Sequence, residues 1–364
     1  MLNCGIVGLT LSGKSTVFNV ITRAGAEVKP YAGGKTDPNR AVVSVPDARF
    51  DKLVEIYQPK KITPAPVEFV DLAGLSRDAS KGAGLGNSFL SFVAESEALI
   101  HVVRCFDNPD VPHPEDTVDP LRDWNIVETE LILRDLSVIE NRLKKLHDKK
   151  KPSPEEQAEN TLLERCRDHL FEELPLREMT FSPDETRVIR GFTFLTLKPE
   201  LVVLNLDETQ ADASLLPWLA GMEKLASNRG LGLVRLFGRM EMEIADLAPD
   251  EQAEFLSELG ISEPGRERLI REAYSLLGLI YFFTVGKEEV KAWTIREKNT
   301  AVEAAGAIHS DLARGFIRAQ VVHYVDFEGN GFSNAKCREK GLLRLEGKEY
   351  LVKDGDIIEI RFNV

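Results

Sequence analysis

Short apolar runs, each followed by a polar or glycine-containing stretch, dominate the first 120 residues of the chain. Such runs occupy residues 2–7, 66–74 and 98–104, the second ending in a turn, and each has the length of a buried strand. After the first run the apolar positions take a helical spacing: Val17, Phe18, Val20 and Ile21. Strands that alternate with helices are typical of an α/β domain built on a parallel sheet.

A long helix interrupts this alternation. Its apolar positions are spaced by four and three residues in turn, which gives one apolar face. These positions are Ile132, Leu136, Ile139, Leu143 and Leu146. The sequence Lys-Lys-Lys-Pro-Ser-Pro at residues 149–154 ends the helix, and a second helical pattern follows. Since a strand resumes at residues 201–205, we predict a helical hairpin at residues 121–200, inserted into an α/β domain of residues 1–120 and 201–280.

The pattern changes again near residue 281. A strand at residues 290–295 precedes an alanine-rich helix whose apolar face includes Val302 and Leu312. Two turn signals, Glu-Gly at 346–347 and Asp-Gly at 354–355, then separate short alternating strands. The order of strand, helix and hairpins predicts a C-terminal β-grasp domain at residues 281–364.

Composition narrows the function classes. The chain has 364 residues, of which 43% are hydrophobic and 29% charged, so we expect a soluble protein of two or three domains. Its longest apolar run, about residues 276–283, is too short to span a bilayer, no export signal is visible, and the four cysteines are scattered. We therefore expect a cytoplasmic protein without a membrane partner. The net charge of −13 argues against a DNA-coating protein, so contact with RNA needs a local basic patch.

The candidate chemistry begins at residues 8–16, Gly-Leu-Thr-Leu-Ser-Gly-Lys-Ser-Thr, which fit the phosphate-binding pattern G-x-x-x-x-G-K-[ST]. Gly8 and Gly13 allow the backbone N–H groups to turn towards phosphate oxygens. Lys14 is expected to contact the terminal phosphates, and the Ser15 hydroxyl to bind Mg²⁺. The remaining predicted nucleotide contacts of this loop are Leu11, Ser12 and Thr16. The alternative is an ordinary glycine turn between a strand and a helix.

Two further segments fit a nucleotide-binding domain. Asp71 and Gly74 form a D-x-x-G motif at a strand end, where the carboxylate can hold Mg²⁺ and the glycine N–H can meet the γ-phosphate. Asn205-Leu206-Asp207-Glu208 stands where guanine-binding proteins carry N-K-x-D. Glu208 is one methylene longer than the usual aspartate, so the pattern favours adenine over guanine. The alternatives are ordinary turns with solvated carboxylates.

Together these segments resemble the Obg-like ATPases of the YchF type, a family of P-loop proteins in the translation-factor class. The matching segments cover nearly the whole chain: residues 4–9, 68–75, 80–82, 84–87, 101–106, 291–295, 314–319 and 352–356. The resemblance implies a Ras-like P-loop NTPase domain with an inserted α-helical hairpin and a C-terminal β-grasp domain of the TGS type. It also implies a preference for ATP, through Asn205 and Glu208, and association with ribosomes.

The chain departs from this family at several positions. Leu11 replaces an asparagine that helps to coordinate potassium in related proteins. In switch I, Lys35 stands at the place of the Mg²⁺-sensing threonine, and Thr36, which follows it, is the candidate Mg²⁺ ligand of this segment. As in the family, an apolar residue, here Leu75, replaces the glutamine that orients water. The resemblance therefore makes His113 a candidate for the hydrolytic step, the alternative being an exposed loop histidine.

A run of lysines crowds the tip of the helical hairpin: Lys144, Lys145, Lys149, Lys150 and Lys151. Such a patch can meet RNA phosphate, although charge runs at helix ends are also common as solvated surface. We expect Mg²⁺-dependent ATP hydrolysis that controls binding to the ribosome, its RNA or its proteins, through this tip and the TGS domain. Two alternatives stay open: a GTPase of the same fold, and a nucleotide-gated binding module with negligible turnover.

Overall fold

Strands and helices alternate along most of the part of the chain that the computed structural model describes: residues 3–22, 27–29, 38–71, 92–210, 216–245, 247, 251–252, 256 and 263–363. The strands are β1 (Asn3–Val7), β2 (Glu27–Lys29), β3 (Asn39–Ser44), β4 (Lys61–Thr63), β5 (Pro66–Asp71), β6 (Ala98–Arg104), β7 (Glu200–Asn205), β8 (Gly232–Leu236), β9 (Leu279–Thr284), β10 (Glu289–Arg296), β11 (Phe316–His323), β12 (Arg344–Glu346) and β13 (Asp356–Phe362).

The helices of the same residues are α1 (Lys14–Thr22), α2 (Ala48–Tyr57), α3 (Pro120–His147), α4 (Pro154–Phe171), α5 (Pro183–Ile189), α6 (Leu219–Arg229), α7 (Gly238–Ile244), α8 (Gly265–Leu276), α9 (Ala301–Ile308), α10 (Ser310–Arg314), α11 (Tyr324–Gly329) and α12 (Asn334–Glu339). Single turns of 3₁₀-helix lie at Leu176–Glu178, Arg190–Phe192 and Glu208–Gln210. None of the helices in the described ranges is both long and apolar enough to cross a membrane.

The chain divides into two compact units. The first contains Met1–Val43 and Glu68–Leu276, and the second contains Ser44–Val67 and Leu277–Val364. The sheet of the first unit has the strand order β2-β3-β5-β1-β6-β7-β8. The pairs β1–β5, β1–β6, β6–β7 and β7–β8 are parallel, as the alternation of strand and helix predicts. Every residue of β6 and of β7 is buried, which explains their nearly continuous apolar sequence.

The helical hairpin of the first unit consists of α3 and α4. The five apolar positions of the predicted seam on α3 are all buried, and they pack with Leu163, Cys166 and Leu170 of α4. Asp119 caps the start of α3 by accepting a hydrogen bond from Arg122 N, and Ser153 and Glu156 form a capping box at the start of α4. Both helices therefore begin where their sequences carry cap residues.

The second unit contains a six-stranded sheet in the order β12-β11-β13-β9-β10-β4. Its core lies between this sheet and α9, where Ala301, Ala304 and Ala305 pack against Phe282 and Ile358. Small side chains on α9 let the helix approach the strands closely. The predicted alanine-rich helix is interrupted at His309, whose extended backbone separates α9 from α10.

The second unit also differs in extent from the predicted C-terminal domain of residues 281–364. It includes residues 44–67, which the sequence interpretation placed in the α/β domain. The reason is that β4 adds to the sheet beside β10, while α2 buries Phe50 and Leu53. The ring of Phe50 lies 6.0 Å from that of Phe283 in β9.

Candidate functional site

The loop between β1 and α1 has the backbone conformation that its two glycines permit. Gly8 has φ 146° and Gly13 has φ 93°, values that side chains with a Cβ rarely adopt. A Cβ on Gly8 would collide with the carbonyl oxygen of Val102, and a Cβ on Gly13 would collide with the side-chain amide of Asn205. Both positions of the predicted phosphate loop therefore require glycine for steric reasons.

Leu11 is the unusual residue of this loop. Its φ is 63°, in the left-handed region, and 48% of its surface is exposed. For a leucine this conformation costs roughly 1–2 kcal/mol. The strain falls where the YchF resemblance implies an asparagine, a residue that tolerates the left-handed region better than leucine does.

The ammonium of Lys14 lies on the carbonyl groups of its own loop. Nζ donates to Gly8 O at 2.9 Å and to Leu9 O at 2.6 Å, and only 4% of the residue is exposed. Burial lowers the pKa of Lys14 to about 8, while the nearby charge of Asp71 acts in the opposite direction. The arrangement keeps a cation at the mouth of the loop, where a phosphate group can replace the two carbonyls as its partner.

Two candidate Mg²⁺ ligands lie at the carboxyl end of β5 and in the helix turn that follows the phosphate loop. Asp71 ends β5 and pairs in register with Ile6 of β1, directly before the loop. Ser15 is exposed in the first turn of α1. Hydroxyl and carboxylate oxygens are the donors that Mg²⁺ prefers, so these residues fit the ion in kind. Thr36, the third candidate Mg²⁺ ligand, lies outside the described residues, as do Lys35, Leu75 and the predicted γ-phosphate contact Gly74.

A cavity of about 440 Å³ lies beside the loop, within the usual size range of ligand pockets. It is formed by the phosphate loop, the loops after β6 and β7, and α7. The lining residues are Leu11, Gly13, Thr16, Phe106, Asp107, Asn108, Val111, Asn205, Leu206, Asp207, Arg239 and Met242. Asn205 also fixes the loop itself, because its Nδ2 donates to Ser12 O at 3.1 Å.

Glu208 does not line this cavity. It is exposed in the 3₁₀ turn after β7, whereas Asp207 is part of the lining. Asp207 accepts hydrogen bonds from Thr209, and Gln210 ties the turn to Cys105 O at 2.7 Å. The sequence motif therefore comes to the cavity through Asn205, Leu206 and Asp207.

Sequence reasoning missed most of the loop after β6. Arg104 shapes this loop by donating from Nε to Phe106 O at 3.1 Å and from Nη2 to Val111 O at 2.8 Å. Its guanidinium also lies 4.5 Å from the centre of the Phe106 ring. The position of residues 106–111 directly after a buried parallel strand was a usable signal, since ligands bind at the carboxyl ends of such strands. Arg239 and Met242 on α7 carry no comparable signal.

His113 lies in the same loop, and its side chain is buried rather than exposed. The imidazole is 4% exposed, and its Nε2 lies 2.9 Å from Oδ2 of Asp123, which is 3% exposed, in the first turns of α3. Its Nδ1 accepts a hydrogen bond of 3.1 Å from Glu115 N. The ring borders a narrow gap, too small for a water molecule, that Thr10 and Ser12 of the phosphate loop also line. The structure thus places His113 beside the phosphate loop.

The predicted lysine patch lies at the tip of the helical hairpin, and all five lysines are exposed. Lys149 forms an ion pair with Glu156 at the start of α4. Within the described part of the chain, no carboxylate lies within 4.0 Å of the ammonium groups of Lys150 and Lys151. The tip therefore presents positive charge to solvent.

Two family models match this chain. The model described as "50S ribosome-binding GTPase" matches residues 3–144. The YchF-GTPase C-terminal model, described as a protein of unknown function, matches residues 279–363. The two matches fall on the predicted N-terminal and C-terminal parts of the chain.

Relatives of similar length match nearly the whole chain. The Ribosome-binding ATPase YchF of Haemophilus influenzae is 44% identical over 363 residues, 99% of each chain. The Bacillus subtilis protein of the same name is 43% identical over 366 residues, 100% of each chain. The solved structure of the Schizosaccharomyces pombe YchF GTPase matches with a TM-score of 0.88 at 33% identity, covering 99% of this chain and 97% of that one. The predicted fold class is confirmed, and the chain belongs to the YchF family.

Proposed function

We propose that this chain is a Mg²⁺-dependent nucleoside triphosphatase that prefers ATP and uses the nucleotide to control its association with the ribosome. The observation that carries the proposal is the phosphate loop: Lys14, held on two loop carbonyls, stands next to a cavity of about 440 Å³. A loop cation that only stabilised the fold would not need a neighbouring cavity of ligand size.

Different residues of the site would bind the phosphates and the Mg²⁺ ion. The N–H groups between Gly8 and Thr16 would surround the phosphates, and the ammonium of Lys14 would move from the loop carbonyls to the terminal phosphate oxygens. Ser15, Asp71 and Thr36 would hold Mg²⁺, which neutralises charge on the phosphate oxygens when it is bound. Gly74 would meet the γ-phosphate through its backbone N–H.

The purine is assigned to the cavity between the loop after β6 and the turn after β7. Phe106 offers an aromatic surface there, and Asn205 holds the phosphate loop against the same cavity. The absence of the N-K-x-D lysine and aspartate, replaced by Leu206 and Glu208, supports adenine. The relatives named Ribosome-binding ATPase agree with this choice, while the Schizosaccharomyces pombe protein is named a GTPase.

Hydrolysis would use His113 in place of the missing switch glutamine. The water oxygen forms a bond to the γ-phosphorus, and the bond between that phosphorus and the bridging oxygen breaks. The electron pair of the broken bond leaves with ADP, and His113 accepts the proton of the water. His113 lies next to Thr10 and Ser12 of the phosphate loop, since the three line one narrow gap, and this proximity supports the role.

The ribosome is the proposed partner because the curated relatives are named for binding it. The exposed lysines at the hairpin tip supply the positive charge that RNA phosphate requires on a chain of net charge −13. We assign ribosome contact to this tip and to the C-terminal TGS domain. Because ribosomes work in the cytoplasm, the proposal includes a cytoplasmic location.

Calorimetry with ATP and GTP in the presence of Mg²⁺ tests the nucleotide assignment. We expect ATP to bind more tightly than GTP, and Lys14→Ala to abolish binding of both. Glu208→Asp should improve GTP binding if this position reads the base. Equal or tighter GTP binding by the unchanged chain would replace the ATPase assignment by that of a GTPase.

Phosphate release during incubation with ATP tests hydrolysis. We expect slow turnover that disappears in Lys14→Ala, whose matched control is Lys52→Ala, a change at a solvent-accessible lysine of α2. Tight ATP binding without Lys14-dependent turnover would instead favour the nucleotide-gated binding module, to which the strained Leu11 in the phosphate loop also points.

Co-sedimentation with ribosomes tests the partner. Replacing Lys149, Lys150 and Lys151 by alanine should lower the bound fraction and weaken its dependence on salt. Replacing the exposed Glu172 by alanine, at the other end of α4, serves as the control. Binding that is unchanged by the triple replacement would remove the hairpin tip from the proposal.

A further inference from the structure

We propose that Arg104 is a positioning residue for the purine: it holds Phe106 and the loop of residues 106–111 as one wall of the nucleotide cavity, so that the base meets an aromatic surface already in place. The inference rests on the proposed function, which assigns the purine to this cavity. It comes from three contacts of one buried guanidinium with Phe106 and Val111, two residues that both line the cavity.

The Arg104 side chain is buried at the end of β6, directly before the loop. Only 2% of the residue is exposed, and its guanidinium forms no ion pair within the described part of the chain. One of its nitrogens, Nη1, is buried without a hydrogen-bond partner among the same residues. Charged side chains are rarely buried so deeply unless they are paired. The polar partners that Arg104 does have belong to the loop itself.

Arg104 ties the two ends of the loop together. Its Nε donates to Phe106 O at 3.1 Å, and its Nη2 donates to Val111 O at 2.8 Å. Two hydrogen bonds within the loop are local: Val111 N donates to Asn108 O at 3.0 Å, and Asp110 N donates to Asn108 Oδ1 at 2.9 Å. The donors of a guanidinium are fixed in one plane, so this group sets the separation of the two carbonyls.

The same guanidinium fixes the ring of Phe106. Its central carbon lies 4.5 Å from the ring centre, where a cation is attracted to the aromatic face. Phe106 lines the cavity of about 440 Å³, whereas Arg104 does not. The face that the guanidinium covers is therefore not the face available to a base, and the opposite face remains for stacking. Because adenine and guanine both present such a face, Arg104 acts on the affinity for either purine and not on the choice between them.

Calorimetry with two ligands tests the proposal. ATP carries the base, and inorganic tripolyphosphate offers the phosphates without it, both in the presence of Mg²⁺. Arg104→Lys keeps the positive charge but loses the planar fork that holds two carbonyls. We expect the dissociation constant for ATP to rise about tenfold and that for tripolyphosphate to stay within about twofold. A role confined to folding would weaken the binding of both ligands by the same factor.

The matched control is Arg142→Lys. Arg142 also uses a fork, since its Nε and Nη2 lie 2.6 Å and 2.8 Å from the two carboxylate oxygens of Glu159, but this pair lies in the helical hairpin. Both dissociation constants should stay within about twofold in this variant. A tenfold loss of ATP affinity in the control as well would overturn the assignment to Arg104.

A double-variant cycle identifies the group through which Arg104 acts. Phe106→Ala alone should weaken ATP binding about tenfold and leave tripolyphosphate binding unchanged. In that background Arg104→Lys should raise the dissociation constant for ATP by less than about twofold, because the ring it positions is already gone. A full tenfold rise there would overturn the proposal. So would unchanged ATP affinity in Phe106→Ala, a result that decides the matter even if Arg104→Lys does not fold.

The two levels of the argument fail differently. If the unchanged chain binds neither ligand, or if Lys14→Ala retains binding, the proposed function itself fails. If Lys14→Ala abolishes binding while Arg104→Lys alters ATP and tripolyphosphate affinity equally, or alters neither, the proposed function stands. The positioning role of Arg104 is then overturned.

Discussion

Replacing Glu128 by glutamine should stabilise the protein above pH 7 and leave its stability nearly unchanged at pH 4. Glu128 on α3 shares the guanidinium of Arg177 with Glu200 of β7, since Arg177 Nη2 lies 2.7 Å from Oε2 of each carboxylate. Oε1 of Glu200 also accepts from Trp124 Nε1 at 2.8 Å and lies 2.9 Å from His101 Nδ1. The cluster thus places two buried carboxylates on one guanidinium.

The pKa values of the two carboxylates are driven apart. Burial raises the pKa of Glu128 to about 7, which the charge of Arg177 opposes and the neighbouring Glu200 reinforces. Burial also acts to raise the pKa of Glu200, but Arg177 and His101 outweigh it and lower that pKa to about 2. Glu128 therefore holds its proton at neutral pH more firmly than a carboxyl in an unfolded chain does.

The sign of the pH dependence follows from this comparison. Below pH 4.5 Glu128 is protonated in both the folded and the unfolded chain, so the stabilisation by the bound proton is complete; it is lost as the pH rises through about 7. The difference between a pKa of 4.5 and one of about 7 corresponds to roughly 3 kcal/mol of unfolding free energy. Glutamine cannot ionise, so the variant should not lose this part of its unfolding free energy at pH 8.

Urea unfolding of both proteins at intervals from pH 4 to pH 8.5, followed by far-UV circular dichroism, measures the effect. The difference in unfolding free energy should grow from near zero to about 2–3 kcal/mol in favour of the variant. Glu140→Gln, at an exposed position of the same helix, should show no such trend. Parallel pH profiles, or a variant that is less stable than the unchanged chain at pH 8, would refute the reasoning.

Three further changes test other parts of the structure. Leu11→Asn should raise the free energy of unfolding by about 0.5–1 kcal/mol, because asparagine tolerates the left-handed φ; a lower urea midpoint would contradict this. Asn205→Ala removes the amide that holds Ser12 O and should weaken ATP binding about tenfold by calorimetry, whereas unchanged affinity would exclude this support. Leu163→Ala, in the buried seam of the hairpin, should lower the free energy of unfolding by about 2–4 kcal/mol. A decrease below about 1 kcal/mol would show that the neighbouring side chains move to fill the cavity that the substitution creates.

Features that depend on neighbouring residues in the chain could be predicted from the sequence. The seam of α3 has a regular spacing because each position packs against α4 in the same way. The phosphate loop was recognisable for a similar reason, because Gly8, Gly13 and Lys14 belong to one short loop and lie close together in the sequence. Family resemblance then supplied the fold class.

Features that depend on distant contacts could not be predicted in this way. Residues 44–67 join the second unit through β4 and α2, and no local pattern records a pairing with strands more than 200 positions later. Buried charges were also missed. Charged side chains on a helix normally face solvent, but those of Asp123 and Glu128 are buried. Only their partners in the three-dimensional structure explain this burial.

The 28-residue length of α3 has a mechanical consequence. At 1.5 Å per residue, about 36 Å of continuous helix separate Asp123 near its base from the lysines beyond its end. Over that distance, a tilt of about 5° at the far tip corresponds to a displacement of roughly 3 Å there, but to only a few tenths of an ångström at the carboxylate. A tilt of the hairpin that displaces its tip by several ångströms would therefore leave Asp123, which lies 2.9 Å from His113, almost in place.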